Sequence, residues 1–103
     1  MADTTPRAIT DIATFQDQMV ALYGDRDAER GLARTFAWFT EEVGELSRAL
    51  FRGTHDERVH EFADVLAWLA SLAAQSGVDL ATAAQRYADG CPRCGQTPCG
   101  CRR

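Results

Sequence analysis

Apolar residues recur along this chain at spacings of three and four, without the strict alternation of a half-buried strand. Ile12, Phe15, Met19 and Leu22 mark a first helix over TDIATFQDQMVALYG, with Thr10 or Asp11 as N-cap and Gly24 as stop. After the linker DRDAER, a longer helix is expected from about Ala28 to Phe51, closed by Gly53. Its stripe of Leu32, Phe36, Phe39, Val43, Leu46 and Leu50 keeps a regular rhythm of four and three. THDE reads as a capping box, with Thr54 as the cap and Glu57 reaching back. A third helix follows to about Ser76, stopped by Gly77, and Asp79 caps a short fourth one through about Ala88, ended by Gly90. Short connections make successive helices antiparallel neighbours. The expected fold is all-α: a four-helix bundle with antiparallel central helices over residues 1–90, then a cysteine-rich tail over residues 91–103.

The polar residues that interrupt this pattern change the picture. On the second helix Trp38, Glu42, Glu45, Ala49 and Arg52 form another stripe, about 100° around from the apolar one, with Glu41 beside it. Glu41 and Glu45 are four apart, a spacing at which like charges repel. On the third helix Glu61 and Asp64 are three apart, and from Phe62 to Ala74 only Asp64 and Ser71 are polar. Most faces of that helix are therefore expected to be buried. An ionised carboxylate there is costly unless it is paired or coordinates a metal. The chain has no lysine, and the nearest cations in sequence are Arg58 and His60. Glu-rich helices are ordinarily solvated faces, and a lone core acid can be satisfied by a backbone group or an arginine. Two acid pairs, each three apart on adjacent antiparallel helices, favour a shared divalent cation. All-oxygen ligands suit Mg²⁺ or Mn²⁺ better than zinc.

EEVGEL followed by EFADVLAWL resembles the E-E-x-x-E … E-x-x-D signature of the MazG-like all-α nucleoside triphosphate pyrophosphohydrolases. The resemblance covers about Phe15 to Tyr87. It implies an Mg²⁺-dependent enzyme that cleaves a nucleoside triphosphate between the α and β phosphates, releasing a monophosphate and pyrophosphate. Position by position, Glu42, Glu45, Glu61 and Asp64 match the metal-ligand acids. Glu41 matches the first acid, as a second-metal ligand or a water-orienting group. Phosphoribosyl-ATP pyrophosphohydrolase is a related enzyme with similar helices and acids, and is the near alternative.

The chemistry of the residues agrees with that resemblance. A triphosphate is a polyanion, so metals must neutralise it and cations must bind the oxygens that remain. Arg48 and Arg52 follow the acids by one and two turns, and Arg34 or Arg86 could also serve. In AAQRYADG, where many relatives carry a Lys or Asn, only Gln85 and Arg86 could contact phosphate. Trp38, one turn before Glu42, and Trp68, one turn after Asp64, are candidates for stacking on a base. Phe15, Gln16 and Tyr23 of the first helix are also available to such a pocket. His55 and His60 read as surface groups or as supports for the acids.

All four cysteines fall in CPRCGQTPCGC: Cys91, Cys94, Cys99 and Cys101. The CPRCG half is a zinc-knuckle pattern, and CGC is a compact second half. Thiolates select zinc over magnesium, so a separate structural Zn²⁺ site is expected. Disulfides, a redox or iron–sulfur role, or an unligated tail are the other readings.

Bulk properties narrow the class. A net charge of -4 disfavours a general nucleic-acid or membrane-surface binder. MADTTPRAIT has no basic region followed by an apolar one, and Phe62 to Ala74 is too short to span a bilayer. With the cysteines confined to one cluster, a cytoplasmic protein is expected. One aromatic-rich helix and one helix apolar nearly all round are more than so small a chain can cover, so a homo-oligomer, dimer or tetramer, is expected. From another class, the chain could be a non-catalytic helical adaptor with a zinc knuckle, using its acids for a basic partner.

Overall fold

Asp11 starts the first helix. Its carboxylate accepts from the Thr14 backbone N–H at 2.7 Å and from the Thr14 hydroxyl at 2.9 Å, which holds its carboxyl below the usual range. The computed structural model describes residues 7–102, so most of the leader reading over MADTTPRAIT lies outside the described residues. From Asp11 the chain forms α1 (Ile12–Arg30), α2 (Leu32–Arg52), α3 (His55–Gln75) and α4 (Leu80–Ala84), the last continued by a 3-10 turn at Gln85–Tyr87. No strand occurs among the described residues.

α1 does not stop at Gly24, and DRDAER is not a linker. The helix runs straight through both. No residue between Gly24 and Arg30 lacks a backbone N–H, and Asp27 pairs with Arg30 one turn on, at 2.6 Å. The break comes at Gly31, with φ 84° and ψ 159°, a combination essentially confined to glycine. α2 therefore begins at Leu32 rather than near Ala28. The later boundaries follow the local rules. Gly53 ends α2, and both halves of the Thr54–Glu57 capping box are present. Gly77, at φ 71°, turns the chain after α3, with Val78 N–H donating back to the Ala73 carbonyl at 2.8 Å.

α3 is the spine. α2 lies antiparallel along it, with Trp38 against Trp68 and the Arg58 guanidinium donating to the Ala49 and Gly53 carbonyls at 3.1 and 2.8 Å. α1 also packs antiparallel on α3. Gln16 clamps its start, donating to the Val78 carbonyl and accepting from Leu80 N–H, both at 2.9 Å. Near its end, Gln75 donates to the Asp27 carbonyl at 2.7 Å. α1 and α2 meet end to end at Gly31 and touch each other little, so they are not the lateral neighbours that their short connection suggested.

The buried apolar positions are Met19, Ala49, Ala70 and Ala73, with Thr35 fully buried beside them. α2 turns its stripe of small and acidic residues toward α3. Its apolar stripe is not the core of the single chain: Leu32, Phe36, Val43 and Leu50 are all exposed. Nor are most faces of α3 covered, because Val59, Phe62, Leu66 and Leu69 are exposed as well. Among the described residues no single helix is long and apolar enough to cross a membrane.

Candidate functional site

Packing α2 by its second stripe brings the acids of the two helices together. Glu42 faces Asp64 and Glu61. Burial, then the charges of Asp64 and Glu61, a hydrogen bond shared with Glu61, and the charge of Glu45 all push its carboxyl above the ordinary range. Glu61 Oε2 is buried and has no hydrogen-bond partner. His60 Nε2 lies 3.2 Å from Asp64 Oδ2, and one donor atom from each of His60, Glu61 and Asp64 falls within 4.8 Å of the other two. Glu45 is nearby but engaged with Arg48 at 3.4 Å. Glu41 is exposed, and its charge is not among those that raise Glu42.

Carboxylates at such close range are unfavourable by themselves, since desolvation and mutual repulsion act in the same direction. A divalent cation would relieve both costs, and the carboxylates of Glu42, Glu61 and Asp64, with one orphaned buried oxygen and the His60 imidazole alongside, fit such an ion. His60, read from sequence as a supporting group, sits close enough to orient Asp64.

Two cavities flank the cluster. One, of about 440 Å³, lies where α2 ends and α3 begins, lined by Glu45, Arg48, Arg52, His60 and Glu61 among others. The other, of about 260 Å³, opens on the opposite side of Asp64 and is lined by Tyr23, Arg26, Arg30, Asp64 and Trp68. At the second, Trp68 stacks against Trp38, centroids 6.3 Å apart and planes 16° apart. The Arg30 guanidinium lies 4.9 Å from the Trp68 ring centre. Both cavities thus carry arginines beside carboxylates, the larger adding Asp56 and Glu57 to its lining, and only the smaller offers aromatic faces. Arg34 is exposed on α2 and Arg86 on the 3-10 turn, and neither lines these two cavities.

Arg26, Asp27 and Arg30 are absent from the candidates read from sequence, which takes DRDAER as a linker into the second helix. Asp27 is only 5% exposed, and its salt bridge holds Arg30 where the guanidinium can reach Trp68. The cue was present: an Asp and an Arg three apart, directly followed by a glycine, is a helix-ending pattern.

At the other end of the chain, Cys91, Cys94, Cys99 and Cys101 gather their sulfurs within 4.8 Å of one another, as in a zinc-type site. Backbone N–H groups of Cys94 and Arg93 draw the Cys91 thiol down to about 6. The neighbouring sulfurs of Cys99 and Cys91 push Cys101 up to about 11.

An all-α protein that gathers carboxylates from two antiparallel helices, with arginine-bearing cavities on either side and aromatic rings in one of them, has the build of a helical protein that handles a charged ligand. The chain belongs to the MazG nucleotide pyrophosphohydrolase family, whose domain model matches residues 30–93. The match starts at the end of α1 and stops inside the tail, after Cys91 and before the other three cysteines. No curated protein matches the chain significantly.

Proposed function

We propose that the protein is an Mg²⁺- or Mn²⁺-dependent nucleoside triphosphate pyrophosphohydrolase that works in the cytoplasm as a homo-oligomer. The observation that carries this reading is the convergence of Glu42, Glu61 and Asp64 around a buried, unpartnered carboxylate oxygen. When bound, a divalent cation supplies charge neutralisation for the phosphates and makes an attacking water more acidic. Glu42, Glu61 and Asp64 would hold it, and Glu45 would join them on releasing Arg48. Arg48, freed by that step, and Arg52 then bind phosphate oxygens in the larger cavity.

The base lies in the smaller cavity, against Trp68 and Tyr23, with Trp38 backing Trp68. This sets the direction of the substrate along α3: phosphates toward its start, base toward Trp68. Glu41, at the exposed rim, orients the water. That water gives a proton to a rim carboxylate as it adds to a phosphorus of the α–β bridge, and the bridging P–O bond breaks with its oxygen leaving on the other phosphate. A nucleoside monophosphate and pyrophosphate leave.

The test is pyrophosphate release from a panel of ribo- and deoxynucleoside triphosphates with Mg²⁺ or Mn²⁺. Glu45→Ala and Asp64→Ala are the paired variants. At least one triphosphate should be cleaved by the natural chain, and each variant should lose activity by about 10²-fold or more, as when a group stabilising transition-state charge is removed. Inactivity on every substrate, together with no metal binding at the acids, would leave the helical adaptor as the better reading.

A further inference from the structure

We propose that Cys91, Cys94, Cys99 and Cys101 form one closed, four-thiolate zinc site, independent of the acidic cluster and of the hydrolase reading. The sulfur separations carry the argument. Cys91 Sγ lies 3.6 Å from Cys99 Sγ and 3.8 Å from Cys101 Sγ. Tetrahedral zinc with Zn–S bonds of about 2.3 Å requires sulfurs about 3.8 Å apart, whereas bonded sulfurs in a disulfide lie about 2.0 Å apart. All four cysteines are free thiols in the structure, and none of their sulfurs lies beyond the reach of a common centre.

The backbone around the thiols is arranged for negative sulfur. Gly100 N–H donates to Cys94 Sγ and Cys101 N–H donates to Cys99 Sγ, each at 3.3 Å. The first turn is closed by Gly95 N–H donating to the Cys91 carbonyl at 2.7 Å, and Cys91 N–H donates to the Gln96 carbonyl at 3.1 Å. Gly90 lets the tail fold back this tightly. A Cβ there would lie 2.9 Å from Thr97 Oγ1 and 3.0 Å from the Gly95 carbonyl oxygen.

Four thiolates around one Zn²⁺ carry a net charge of two minus, and Arg93 and Arg102 flank the site with opposite charge. Zinc outcompetes ferrous iron at such donors, and a tetrahedral S₄ set excludes magnesium. Sulfur takes every position, so no place is left for substrate or water. The site is structural, not catalytic. Binding releases one proton for each thiol still protonated.

The experiment uses the full chain, purified under reducing conditions. Elemental analysis should find about one zinc per chain. Exchange into Co²⁺ should give thiolate-to-cobalt charge transfer and the intense visible bands of tetrahedral cobalt. Excess Mg²⁺ should leave those bands unchanged. Cys94→Ser with Cys99→Ser should abolish zinc and cobalt uptake while leaving the helical circular dichroism intact. Glu61→Gln should keep both. A reduced natural chain that takes up neither metal would overturn the proposal, as would iron in place of zinc. An isolated chain lighter by four hydrogens, the mark of two disulfides, would overturn it too.

Discussion

Glu61 concentrates the chemistry of the site in one atom. Its Oε2 is buried without a partner, and Glu42 and Asp64 bring further negative charge against it. Replacing it with glutamine removes that charge at constant shape. Glu61→Gln should therefore melt higher than the natural chain when no divalent cation is present. The natural chain should gain from Mn²⁺ roughly 2.7 kcal/mol at a hundredfold excess over its dissociation constant, and the variant should gain little. Differential scanning fluorimetry with and without Mn²⁺ reads both effects, and a variant as responsive as the natural chain would remove Glu61 from the ligand set. The acids themselves were legible in the sequence, because their spacing is a local property of each helix. The stacking of Trp38 on Trp68, and Arg30 over that pair, was not, because Arg30 comes from a third element.

At the level of elements, two glycines seven residues apart, Gly24 and Gly31, test how the helices are divided. Gly24 lies inside α1, where a Cβ would meet Val20 Cγ1 at an ordinary 3.5 Å. Gly24→Ala should stabilise the fold by about 0.5–1 kcal/mol through the entropy that glycine forfeits in a helix. Gly31 has open space around it but a positive φ, so the penalty there comes from the backbone alone. Gly31→Ala should cost about 1–3 kcal/mol. Urea denaturation of the two variants decides between a helix broken at Gly24 and one broken at Gly31. From sequence the stop falls at Gly24, a glycine directly after the apolar positions Ile12, Phe15, Met19 and Leu22. Helical hydrogen bonding does not need that pattern, and the buried Asp27–Arg30 pair fastens the last turn instead.

For the molecule as a whole, surface area is the informative quantity. The chain exposes 8156 Å², against about 5,700 Å² for a compact monomer of its mass. Its radius of gyration is 16.5 Å, against about 13 Å for a compact domain of this length. Much of the excess is apolar: Leu32, Phe36, Val43 and Leu50 on α2, and Val59, Phe62, Leu66 and Leu69 on α3. In the proposed homo-oligomer, a second copy of this chain would cover these stripes with its own. Light scattering at micromolar concentration should give a dimer or larger. Phe36→Glu with Leu66→Glu should shift it to monomer or to a molten, aggregating chain. A natural chain that is monomeric and cooperatively folded would rule out the shared face.

The sequence by itself determined that the chain is helical, the bounds of its later helices, most of the caps, the two acid pairs and the thiol spacing. These depend on contacts within about one helical turn, which order along the chain encodes directly. Only the tertiary structure decided which stripe of α2 turns inward, that α1 meets α2 end to end, and which arginine reaches the aromatic pair. An apolar stripe looks the same from the sequence whether it meets its own core or another chain. Small residues such as Thr35 and Ala49 give little hydropathy signal, yet they let α2 approach α3 closely enough for the carboxylates to meet.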